Sequence, residues 1–98
     1  MARARGKVDS NHREIVAALL KLGATVQSLA NLGSGCPDLL VGYRGANTLL
    51  EIKRDLKAPL TADERRWHET WRGQVRVVCT WNEAAYVIGA IPPPKGWE

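Results

Sequence analysis

The chain has 98 residues, 45% of them hydrophobic and 24% charged, with a formal net charge of +4 and two cysteines. One domain of this size buries roughly 60 to 65% of the surface its unfolded form exposes, so a core can form without disulfide or metal staples. The eight residues Ala84 to Ile91 are the longest apolar run, too short for a membrane span or a signal peptide. Cys36 and Cys79 make neither a disulfide framework nor a zinc spacing, so a reducing, cytoplasmic setting is expected.

Residues 1–8, MARARGKV, place Arg3, Arg5 and Lys7 on a basic arm without an apolar face, suited either to phosphate contact or to solubility alone. A single domain is expected over 9–91, with a Pro-rich tail at 92–98. From Asn11, the apolar residues Ile15, Ala18, Leu19 and Leu22 recur at helical spacing, and Gly23 supplies a stop. ATVQSLA (24–30) reads as a strand, and the Gly-rich loop NLGSGCP leads to Asp38.

DLLVGY and TLLEIK follow as a hairpin closed through Arg44, Gly45, Ala46 and Asn47. A helix is predicted from Thr61 to about Trp71, opened by a Thr61–Glu64 capping box and ended at Gly73. QVRVVCT (74–80) gives a last strand, and Asn82 is expected to cap a short helix to about Ile88. Strand, helix, strand over 48–80 is a crossover unit that makes the last strand parallel to TLLEIK. The fold class is α/β, with order αβββαβα and a mixed four-stranded sheet flanked by helices.

The hairpin carries three charged residues that its apolar context does not explain. An even-numbered loop pairs Tyr43 with Thr48 and sets Asp38 opposite Lys53, so Asp38, Glu51 and Lys53 project from one face. Glu51 is then diagonal to Asp38, about 7 to 8 Å away along the backbone and nearer at the side-chain tips. An odd-numbered loop would send Asp38 to the other side.

Leu39, Val41, Tyr43, Leu50 and Ile52 on one face, and Leu40 and Leu49 on the other, suggest strands covered on both sides. Two carboxylates there repel unless a divalent cation compensates, since Lys53 balances only one. Each residue alone has a plainer explanation, Asp38 as a turn cap and Glu51 with Lys53 as an edge ion pair. All three together favour the site.

Pro37-Asp38, with Glu51-Ile52-Lys53 beginning thirteen positions after Asp38, resembles the PD-(D/E)xK nuclease signature. Gly35 to Leu40, the Glu-x-Lys strand and LTADERRWHETWRGQVRVV (60–78) are similar to the VRR-NUC family and its small stand-alone phage members. The resemblance implies that Asp38 and Glu51 bind Mg²⁺ or Mn²⁺ with the Ile52 carbonyl as third ligand, while Lys53 orients or activates the attacking water. It also implies that Glu14 joins the metal site through water, although Asn11 and Glu14 equally satisfy a capping box. Relatives often carry Gln where Glu64 stands, which makes Glu64 either a site-facing residue or only the partner of Thr61.

The expected activity is metal-dependent hydrolysis of DNA phosphodiesters, structure-selective for branched, Holliday-junction-like DNA in recombination and repair. Relatives imply a homodimer, and a phage protein in a bacterial host or a bacterial cytosolic one. Oxygen donors without a Cys or His cluster suit a hard cation. Arg65, Arg66 and Arg72 form a basic face on the second helix, extended by Arg76, that suits phosphates or plain solvation. Trp67 and Trp71 read as core in preference to base-stacking platforms. His12 and His68 lack partners at catalytic spacing, and Cys36 lacks a base. The alternative is a non-catalytic nucleic-acid-binding or assembly module that keeps a nuclease-like fold.

Overall fold

The computed structural model describes residues 10–98; Arg3, Arg5 and Lys7 lie outside the described residues. In chain order the elements are α1 (Ser10–Lys21), β1 (Thr25–Ser28), β2 (Leu39–Tyr43), β3 (Ala46–Ile52), α2 (Ala62–Thr70), β4 (Val75–Val78) and α3 (Trp81–Val87). The sheet runs β1-β2-β3-β4, antiparallel at its first two junctions and parallel between β3 and β4. This is the expected αβββαβα order and mixed sheet.

Helix α1 buries Ile15 and Leu19 completely, one turn apart, against Leu39, Val41, Leu50 and Ile52 of the sheet and Ala84 and Ile88 of the α3 region. Its end follows from Gly23, which at φ +95° lets Ala24 N–H reach Leu19 O (3.0 Å) and its own N–H reach Leu20 O (3.0 Å). At the other end Asn11 does not act as a cap. Its Nδ2 donates to Lys53 O (2.9 Å) and Cys79 O (3.0 Å), tying α1 to the ends of β3 and β4.

The hairpin turn is tighter than expected. Arg44 (φ +48°) and Gly45 (φ +82°) alone form the connection, because a two-residue turn with both φ positive matches the twist of its strands. Tyr43 therefore pairs with Ala46, and Thr48 faces Val41. The register moves by two residues, which preserves the face of every side chain. Continuing the ladder one step sets Asp38 across from Glu51, where Lys53 was expected.

Coverage of the two sheet faces is unequal. The Leu39, Val41, Leu50 and Ile52 face is sealed by α1 and α3, whereas Leu40 on the other face remains 36% exposed. Helix α2 covers only part of that second face and has no fully buried residue of its own. Its three half-buried positions, Glu64, Trp67 and His68, fall at the three- and four-residue steps of one helical face.

Helix α2 begins as predicted, with Thr61 and Glu64 completing a capping box. For α3 the cap is Thr80, not Asn82, because Glu83 lies three residues on and closes the box with Thr80. The Pro-rich tail folds back: Trp97 packs on the core, edge-on to Tyr86, with the Arg76 guanidinium 4.8 Å from its ring centre. No helix of the described residues is long and apolar enough to cross a membrane.

One loop position governs how α2 sits. Gly35 has φ +83°, and a Cβ there would strike the Asp63 carbonyl and lie 2.8 Å from Glu64 N. The Gly35→Ala variant should be destabilised by about 2–4 kcal/mol from combined strain and clash, measured by urea unfolding.

Candidate functional site

The site forms where β3 ends, with Asp38 arriving from β2 and α2 laid over the open face. Asp38, just before β2, turns its carboxylate onto the next strand, where Oδ2 accepts from Ile52 N–H at 2.7 Å. The N–H and C=O of one strand residue point to the same edge, so the Ile52 carbonyl also looks past the end of β2 toward Asp38.

Glu51 is 3% exposed, and its Oε1 has no hydrogen-bond partner. Lys53 Nζ lies 3.8 Å from Glu51 Oε2 but only 2.7 Å from Glu64 Oε1. The ammonium is therefore engaged first by Glu64. That same Glu64 oxygen accepts from Thr61 N–H at 2.9 Å, so Glu64 is both the capping partner and a site residue.

The charges do not balance within the protein, because Asp38, Glu51 and Glu64 surround one lysine. Burial first, then the Asp38 and Glu64 charges, push the Glu51 carboxyl up to about 8, with Lys53 opposing. Burial works against the Lys53 ammonium, yet the Glu64 hydrogen bond and charge, followed by Glu51 and Asp38, hold its pKa above the usual range. Burial also opposes Glu64 ionisation, and its bonds to Lys53 and Thr61 outweigh that and lower its pKa.

The donor chemistry fits a divalent cation. A buried carboxylate oxygen without a partner, a second carboxylate from the neighbouring strand and a nearby carbonyl are hard ligands short of positive charge. Among the described residues, no group of three or more His, Cys, Asp or Glu side chains is arranged, as it stands, to hold a metal ion. A cation here would complete its shell with carbonyl oxygen and water, as magnesium commonly does.

His68 was not indicated by its sequence neighbours, yet it joins the site. Its Nε2 is buried without a partner, 4.0 Å from Glu51 Oε1, and burial lowers its pKa. The available signal was its four-residue spacing from Glu64, which puts both on one face of α2. Cys36 borders the site as a thiol whose pKa is raised by burial and by the Glu51 and Asp38 charges, which suits no nucleophile.

Other anticipated residues stand apart. Glu14 is exposed on α1, along a groove with Lys21, Leu22 and Trp81, and makes no hydrogen bond or ion pair with Asp38, Glu51 or Lys53. Arg76 shares the sheet face of Leu50, opposite Glu51, and stacks on Trp97. Arg65, Arg66 and Arg72 are exposed, with Arg66 paired to Asp63 at 3.3 Å. Trp67 is half-buried, but Trp71 is 46% exposed and stacked on Trp67 at 4.5 Å, because α2 forms an incomplete outer layer.

A solved structure described as a VRR_NUC domain is similar to this chain, with 29% identity and a TM-score of 0.63 over 83% of this chain and 96% of its own. No protein-family profile and no curated protein sequence matches the chain.

Because Glu51 keeps its proton in the fold and loses it when unfolded, its contribution to stability is complete below pH 4.5 and disappears as pH rises through about 8. The depressed Glu64 and His68 act at lower pH and the cysteines at higher pH, so Glu51 governs the interval between. In chelator, urea titrations should show stability falling by about 2 kcal/mol from pH 6.5 to 8.5. Glu51→Gln should flatten that slope.

Proposed function

Because the chain belongs to the VRR-NUC family, a nuclease family, we propose that it is a divalent-metal-dependent endonuclease that hydrolyses DNA phosphodiester bonds. The observation that carries this reading is the buried, partnerless Glu51 oxygen among three carboxylates and one ammonium. Asp38, Glu51 and the Ile52 carbonyl would hold Mg²⁺ or Mn²⁺. Such a cation supplies charge to the scissile phosphate and acidifies water.

Lys53 stays an ammonium in this arrangement, because Glu64 accepts from it at 2.7 Å. It serves as a fixed positive charge that orients the attacking water and offsets charge developing on the phosphate, not as the base. Glu64 positions Lys53 while anchoring the first turn of α2, which couples the helix to the chemistry.

Arg65 and Arg66 on the outer side of α2 and Arg72 just beyond its end, with Arg3, Arg5 and Lys7 of the basic arm, supply phosphate contacts. The domain measures 37 Å in its longest extent, about one turn of duplex, and offers one such site. Cutting both strands of branched, junction-like DNA would therefore use a symmetric homodimer, in recombination or repair.

The test incubates the protein with four-way junctions, flaps, duplex and single strands, in Mg²⁺, Mn²⁺ or chelator. Cleavage should require the metal and favour branched substrates. Asp38→Asn and Lys53→Ala should each slow it by about 10²–10³-fold. Cutting that persists in chelator, or in both variants, refutes the mechanism; salt-sensitive DNA binding with no cutting by the unaltered protein would favour the non-catalytic module.

A further inference from the structure

Where α2 meets β3, two buried polar atoms lie near each other without hydrogen-bond partners. Glu51 Oε1 and His68 Nε2 are 4.0 Å apart. Leaving a buried polar atom unpaired is costly, so a pair of such atoms side by side is unusual. Their separation exceeds hydrogen-bond reach, but it is close to twice a metal–ligand bond of about 2.0–2.2 Å.

The imidazole is also held in place. His68 is four residues from Glu64 on the inward face of α2, its side chain is only 15% exposed, and its ring meets Trp67 at 5.8 Å and 70°. Trp67 is in turn stacked on Trp71. A ring fixed by packing, with a buried free nitrogen beside a buried free carboxylate oxygen, is preorganised as a ligand.

We infer that His68 Nε2 is a nitrogen ligand to the cation held by Asp38 and Glu51, and that it biases the site toward first-row transition metals over magnesium. This rests on the metal role of Asp38 and Glu51 proposed above. Magnesium favours an all-oxygen shell, whereas an imidazole adds affinity for divalent ions such as Mn²⁺ and Co²⁺. Substitution of this one residue would then alter which metal the protein prefers without removing either carboxylate.

The test is calorimetric titration of the metal-free full chain with Mg²⁺, Mn²⁺ and Co²⁺, without DNA, for the unaltered protein, His68→Leu, His68→Gln and Asp38→Asn. Electron spin echo spectra of the Mn²⁺-loaded proteins give a second readout, the modulation from a directly bonded imidazole nitrogen. The unaltered protein should show that modulation and bind Mn²⁺ and Co²⁺ more tightly than Mg²⁺. Both His68 variants should lose the modulation and about 10–100-fold in Mn²⁺ and Co²⁺ affinity, with Mg²⁺ affinity nearly unchanged and circular dichroism confirming the fold.

If the modulation is absent from the unaltered protein, or the His68 variants bind every metal as it does, the inference is overturned. Loss of metal binding in Asp38→Asn would then leave the nuclease reading standing. Asp38→Asn binding metals unchanged would overturn both.

Discussion

A carboxylate sealed between a strand and a helix, with too little positive charge around it, is the constraint from which the rest of this molecule follows. Glu51 is almost wholly buried, Asp38 faces it from the adjoining strand, and the nearest ammonium belongs first to Glu64. A buried ionised group without compensation is costly, and the protein meets that cost by keeping Glu51 protonated up to about pH 8. A divalent cation would supply the missing charge. The same arrangement that weakens the metal-free fold would thus favour taking up such a cation.

Several local devices hold that arrangement in place. The two-residue turn at Arg44 and Gly45 sets the strand register, and the Asp38 carboxylate locks onto Ile52 N–H where the ladder ends. Gly35 lets the preceding loop approach the backbone of Asp63 and Glu64, closer than any side chain would allow. Asn11 gathers the carbonyls of Lys53 and Cys79 beneath α1. The open face is left to α2, whose inward residues are Glu64, Trp67 and His68, so the layer over the site is partly polar. Its partial coverage leaves that side of the sheet open at Leu40.

The fold was largely legible because its signals are local. Helical spacing of Ile15 and Leu19, the capping box at Thr61, the apolar hairpin and the crossover to β4 all depend on near neighbours or on alternation. The convergence of Asp38, Glu51 and Lys53 survived a two-residue error in register because side-chain orientation in a strand depends only on parity. The error still mattered for distance, since it moved Glu51 from a diagonal position to the place across from Asp38. Asn82 was a reasonable cap by residue type, and Thr80 won because Glu83 completes its box.

The sequence by itself determined the order of elements and the shared face of the two acids and the lysine, since local signals and strand alternation encode both. Only the tertiary structure decided that one oxygen of Glu64 serves both Thr61 and Lys53, that Trp97 returns to the core, and that His68 meets Glu51. Those contacts join segments whose separation and packing angle no local pattern records. They depend on how far α2 settles onto the sheet, which is set by side-chain volume and by the close approach at Gly35.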